Sequence, residues 1–253
     1  MNLTRAIRAE LVKLRTVRST YLTLGSAFAL ALAVGLTDCH HLAHGGDRTG
    51  YDPVGTPLGG FQFAQLAFGV FGVLAVSTEY GTGMIRSTLA AVPRRGAAFA
   101  AKALVVGGVA LAAGEVFVVA AFVAGQALLA GTDLHAGLGA AGVPRALVAA
   151  GGYLAVVAIV GLGLGALIRH TAGAVSAMFA LIFLAWPLAR AAEGWSYLPD
   201  RLLLANAADV LGQAHAPVEH AARVPSLGFA CAVLIGYAGL ACAVGAWRMS
   251  RDA

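Results

Sequence analysis

Six apolar runs separated by short polar clusters organise this chain. They are Tyr21–Thr37, Leu58–Val76, Ala103–Ala130, Ala146–Ile168, Ala174–Leu188 and Leu227–Trp247. Crossing a bilayer as a helix takes about 20 predominantly apolar residues. The fifth run is the shortest and Pro187 is expected to break it near its end; the third is long enough to tilt. Strict alternation is weak, so helices are predicted rather than a barrel. Residues 1–19 follow a different rule. Leu3, Ile7, Leu11, Leu14 and Val17 recur at helical spacing, while Arg5, Arg8, Lys13, Arg15 and Arg18 fall largely off that stripe. The pattern predicts a basic amphipathic helix lying in the membrane interface. No small-residue cleavage site follows, which argues against a signal peptide.

Composition sharpens this picture. Of 253 residues, 59% are hydrophobic and 11% charged, against about 25% charged in an average soluble domain. The expected class is an all-α integral membrane protein with six transmembrane helices. It has the N-terminal interfacial helix and a re-entrant outer segment before the last span, in a single transmembrane domain over 1–253. The 33 glycines suit close helix packing. In the fourth run, Gly161, Gly163 and Gly165 read as such a packing face, because no strand–turn–helix surrounds them to make a nucleotide loop.

The net charge of +5 reads as topology rather than nucleic-acid binding, because the basic residues cluster beside the spans. With the N-terminus placed inside, the inner segments hold Arg5, Arg8, Lys13, Arg15, Arg18, Arg86, Arg94, Arg95, Lys102, Arg169, Arg248 and Arg251. The outer segments hold only Arg48, Arg145, Arg190, Arg201 and Arg223. The positive-inside rule therefore predicts a multi-pass protein of the cell membrane with both termini cytoplasmic. The outer segment 189–226 is the longest loop. Its Trp195, Tyr197, Pro199, Leu202–Leu204 and Pro217 suggest a short interfacial or re-entrant helix.

The most informative polar cluster is Glu79-Tyr80-Gly81-Thr82-Gly83-Met84-Ile85-Arg86, continuing to Pro93-Arg94-Arg95. Placed between two apolar runs, it belongs at a membrane face. Gly81 and Gly83 would permit a sharp turn off the second span. Glu79 and Arg86 could pair across that turn or with a partner, and Arg94 and Arg95 could anchor at headgroups.

This order resembles the membrane subunit of a type-2 ATP-binding-cassette (ABC) transporter, in its small bacterial six-span form. Three stretches carry the resemblance over essentially the whole chain. Glu10-Leu11-Val12-Lys13-Leu14-Arg15-Thr16-Val17-Arg18-Ser19 looks like the family's connector helix. Glu79 through Arg95 looks like its coupling segment, and Tyr197-Leu198-Pro199 matches its outer loop. The resemblance implies a permease domain with a connector helix at 1–19, a cytoplasmic coupling loop at 77–102 and an outer loop at 189–226. Glu79, Tyr80, Gly81, Gly83, Arg86, Arg94 and Arg95 would couple to a partner ATPase. Arg8, Glu10, Lys13, Arg15 and Arg18 would belong to the connector. The implied partners are a cytoplasmic ABC ATPase, a second permease copy (homodimer or heterodimer) and membrane lipid. The chain itself would bind no cofactor; ATP and Mg would sit on the ATPase. The family mostly exports.

Other polar residues modify this reading. Glu115 lies mid-run in the third span, where a carboxyl is costly unless paired, protonated or facing a wet cavity. It is a candidate for the translocation path. Gln126 is expected near the outer interface. Asp38, Cys39, His40, His41 and His44 could in principle hold zinc or copper, but their spacing matches no strong metal motif and a solvated loop is expected. Cys39, Cys231 and Cys242 read as small apolar residues. No GxxxxGK[ST] loop, HExxH or nucleophile constellation occurs in the sequence, so no enzymatic activity is expected. The rival readings are an ion-coupled secondary transporter, whose repeated halves are not visible, or a membrane-embedded enzyme, for which Glu115 is nearly the only intramembrane candidate.

Overall fold

The computed structural model describes residues 3–16, 18–85, 95–191, 201–214 and 226–251. Helix α1 covers Leu3–Thr16, α2 Arg18–Ala43, α3 Phe61–Gly81, α4 Arg95–Leu128 and α5 Val143–Ile168. Next come α6 (Thr171–Phe179), a π-helical turn (Ala180–Leu184) and α7 (Ala185–Ala191). The last two are α8 (Leu204–Gly212) and α9 (Leu227–Ser250). No strand occurs among the described residues. Among the described residues, five helices are long and apolar enough to cross a membrane: α2 from Leu24, α3, α4 from Gly96, α5 and α9.

Helix α5 is the axis of the bundle. It has the highest mean hydropathy of the five, 2.3, and 67% of its apolar window is buried, against 17% for α9. A helix apolar on all sides belongs in the centre. Its tightest neighbour is α3, and the reason is backbone proximity. A Cβ on Gly161 would lie 2.1 Å from the Gly69 carbonyl oxygen, and one on Gly72 would lie 1.9 Å from that of Ala158. Gly165 meets Val73 and Val76 in the same way. Membrane helices associate through such close packing of small residues, since lipid gives them little hydrophobic drive to do so. The GxGxG packing face read from the sequence is therefore this crossing, with Gly163 turned to Ala241 of α9.

Several boundaries differ from the predicted ones. Helix α2 runs past Thr37 to Ala43, so Asp38, Cys39, His40 and His41 occupy its last turns rather than a loop. Within it the Thr37 hydroxyl donates back to the Ala33 carbonyl at 2.7 Å, the usual partner of a threonine inside a helix. Cys39 is buried against Leu42 and Leu129, while His40 and His44 stack at the exposed surface. These residues point apart, and no group of three or more potential metal ligands occurs among the described residues.

Pro187 does not break the fifth run. It sits in the first turn of α7, where its missing N–H and its clash with the carbonyl four residues back fall on the π turn at Ala180–Leu184. Helical structure continues from Thr171 to Ala191.

One end of the bundle is closed by loops bound to buried side chains. Asp52 Oδ1 accepts from the backbone N–H groups of Val54, Gly55 and Ala214 at 2.8–3.1 Å. Gln126 donates to the Pro53 carbonyl at 2.9 Å and accepts from Ala136 N–H at 2.8 Å. It is a buried tie between two loops. Arg145 donates to the carbonyls of Leu211 and Gln213, at 3.2 and 2.7 Å. It thereby meets the orphan carbonyls at the end of α8. Of the outer loop, Trp195, Tyr197, Leu198, Pro199 and Pro217 lie outside the described residues.

Candidate functional site

At the opposite end, α1 docks beside the C-terminal end of α3 and the first turns of α4. Four charged side chains meet there. Lys102 Nζ donates to Glu10 Oε2 at 2.5 Å, Glu79 Oε1 at 2.8 Å and the Ala75 carbonyl at 3.2 Å. Lys13 Nζ donates to Glu10 Oε1 and to Glu79 Oε1, both at 2.9 Å. Glu10, Glu79 and Lys102 are buried, with side-chain exposures of 9%, 3% and 3%. Lys13, at 31%, is the member that reaches the surface. Glu79 Oε2 is buried without a hydrogen-bond partner. Beside the quartet lies a cavity of about 80 Å³, bordered also by Phe71, Leu74, Thr78 and Met84.

Burial alone would push the Glu10 carboxyl up. The Lys102 ammonium, and then Lys13, reverse that and hold it below its ordinary 4.5. Burial would push Lys13 down, but Glu10 and Glu79 hold it above its ordinary 10.5. Glu10 and Lys13 are thus held in their charged forms by neighbours of opposite sign.

The sequence reading is revised here in several respects. Glu79 is helical. It occupies the last turn of α3 and points inward, because Lys102 lies across from it. Its partners among the described residues are Lys13 and Lys102. Tyr80 is also helical, and the Arg169 guanidinium stands over its ring at 5.2 Å. Gly81 continues the helix, so only Gly83, at φ +73°, makes the turn. Arg86 and Arg94 lie outside the described residues, and Arg95 opens α4.

In α1 the side turned to the bundle carries a charge. Ala6 and Glu10 are buried and Ile7 and Leu14 half-buried, whereas Leu11 is 37% exposed. The helix therefore docks through a charge as well as through apolar groups. Arg8 is exposed, and Arg15 and Arg18 lie at the junction with α2.

Other contacts align this end of the bundle. Thr171 Oγ1 and Ser77 Oγ are hydrogen-bonded at 3.0 Å, and Arg169 donates to the Arg248 carbonyl at 3.4 Å. Arg169 also caps α5 in the left-handed conformation, at φ +62°. α1 and the C-terminal end of α9 thus share one end of the molecule.

Glu115 is remote from the quartet. Thirteen residues beyond Lys102, it is about 20 Å further along α4 at 1.5 Å per residue. Its carboxyl lies against the Gly151 backbone, where a Cβ would come within 2.4 Å of it. It is half-buried and forms no hydrogen bond or ion pair among the described residues. Other polar groups lie within the bundle that the sequence reading did not single out. Tyr153, fully buried, donates to Gln65 Oε1 at 2.6 Å, and the Gln65 amide donates to Gln62. Lys102 carried a signal that could have been weighed, since an ammonium on the first turns of a long apolar run needs a carboxylate nearby.

No family model, curated protein or solved structure matches the chain.

Proposed function

We propose that this chain is the membrane-spanning permease subunit of an ABC transporter of the exporting kind. It would move its substrate with ATP hydrolysed by a separate cytoplasmic subunit. The observation that carries this reading is the quartet. It ties the N-terminal helix to the end of α3 and the start of α4, the two helices that flank the charged 82–95 segment. A push on that segment would reach α1, α3 and α4 together, as a coupling element requires.

In this reading α1 is the interfacial connector, and the continuous helical stretch Thr171–Ala191 supplies the sixth span beside the five long helices. α8 is the re-entrant outer segment. Its apolar Leu204, Ala207, Val210 and Leu211 are buried against the bundle, and its carbonyl end is satisfied by Arg145. Both termini face the cytoplasm. A second permease copy, identical or similar, completes the pathway, and two ATPase subunits with ATP and Mg dock at the inner face. The chain contributes path and coupling rather than bond chemistry.

The test is affinity purification of the tagged chain from its native host after crosslinking, in mild detergent, with mass spectrometry of what accompanies it. A stoichiometric ABC ATPase is the expected result. Purification without any ATPase would overturn the reading.

A further inference from the structure

We propose that Glu10, Lys13, Glu79 and Lys102 form a partner-exchanging latch, by which α1 can leave and re-dock on α3 and α4 without leaving a charge unpaired. This deepens the transport reading by naming how the connector helix is released, and rests on it only for what drives the release.

The argument is in the pairing. Two contacts cross the seam between α1 and the bundle, Glu10 with Lys102 and Lys13 with Glu79. Two others are internal, one on each side: Glu10 with Lys13 on α1 at 2.9 Å, and Glu79 with Lys102 across α3 and α4 at 2.8 Å. All four exist at once in the docked arrangement. Separation breaks only the crossing pairs, so each side keeps an internal pair and a net charge of zero. An ordinary buried ion pair has no such alternative, and breaking one strands a charge in low dielectric.

The hydrogen-bond inventory agrees. An ammonium has three protons, and those of Lys102 serve Glu10, Glu79 and the Ala75 carbonyl. Glu79 Oε2 has no partner in this arrangement. The proton freed when Glu10 departs has an acceptor waiting on the carboxylate Lys102 already holds. Among the described side chains of α1 the apolar part of the seam is small: Ala6 is buried, Ile7 and Leu14 are half-buried, and Leu11 and Val12 are exposed. The charges therefore dominate docking.

The test uses the full chain in bilayer nanodiscs, with Cys39, Cys231 and Cys242 changed to Ser and Ala6→Cys as reporter. Ala6 is 5% exposed when α1 is docked, so the rate of labelling by a water-soluble maleimide reads undocking. Glu10→Lys with Lys13→Glu keeps each side neutral but sets like charges across the seam. Labelling should rise by about tenfold or more, since both crossing attractions become repulsions. Adding Glu79→Lys with Lys102→Glu restores the crossing pairs and should return labelling to within about twofold of the parent. Glu10→Lys with Lys102→Glu does the reverse: it keeps the crossing pairs and makes both internal pairs repulsive. It should label more slowly than the parent, which a plain pair of salt bridges would not produce.

Unchanged labelling in the first variant, or no restoration in the fourfold variant, would overturn the latch. So would parental or faster labelling in the third, which decides the matter even if the first does not fold. No ATPase is present in the assay, so the latch can fail while the transport reading stands, and the reverse.

Discussion

Lys102 Nζ and Glu10 Oε2 are 2.5 Å apart although 92 positions separate the two residues in the chain. The ammonium belongs to a long apolar helix and the carboxylate to a short basic one. Each is tolerable where it stands because the other is there. Removing one partner of a buried pair costs about 3–5 kcal/mol, because the other is left uncompensated. Lys102→Met is therefore expected to lower the unfolding midpoint in detergent strongly. Lys13→Met, at the exposed edge, should lower it much less. Equal effects in thermal unfolding would contradict the burial gradient across the quartet.

Glu79→Ala follows the same logic. As a residue of an exposed coupling loop it would weaken only ATPase docking. As a buried partner of Lys102 it should first destabilise the chain by itself, and Glu79→Ala with Lys102→Met should cost less than the sum of the single changes. A thermal-denaturation double-mutant cycle without the ATPase checks this.

The docking of α1 should depend on pH at both extremes. Glu10 is held below its ordinary carboxylate value, so its contribution is present above 4.5 and is lost as pH falls through the lowered value. Lys13 is held above its ordinary value, so its contribution is complete below 10.5 and is lost as pH rises through the raised value. Hydrogen exchange of the α1 amides, corrected for intrinsic rates, should show a protected plateau between these limits. Protection lost already near neutral pH would argue against ionised partners.

At the α3–α5 crossing, Gly161→Ala would place a methyl 2.1 Å from a backbone oxygen, and a helix backbone cannot shift as a side chain can. A cost of about 1–3 kcal/mol is expected, as for overpacking elsewhere. Gly152→Ala, on the same α5 and with nothing within 4 Å of the new methyl, should be neutral or slightly stabilising. Comparing the two unfolding midpoints separates packing from helix propensity.

Arg145→Met should loosen α8 selectively. It leaves carbonyls of Leu211 and Gln213 without their donor, at about 1–3 kcal/mol for each group that stays buried. Amide exchange over 204–214 should rise while that of α3 and α5 is unchanged. Uniform acceleration would mean that Arg145 supports the whole fold instead.

The sequence by itself determined the class of structure. Runs such as Ala146–Ile168 are too long and too apolar for anything but buried or membrane-spanning helices, and the 3.6-residue period of 3–16 marks a helix of another kind. It also marked Gly161 and Gly165 as packing positions, because small residues in an apolar helix have few other uses. Only the tertiary structure decided which polar residues meet. Periodicity describes one helix at a time, so it marked an apolar stripe on α1 and gave no reason to bury Glu10. The distant Lys102 supplies that reason, since a carboxylate between two ammonium groups can be buried where a lone one cannot. The end of a helix was equally illegible. Glu79 resembles loop until its partner is known, and His40 and His41 extend α2 because nothing before Gly45 stops it. Long-range pairing sets these details, and a one-dimensional pattern does not contain it.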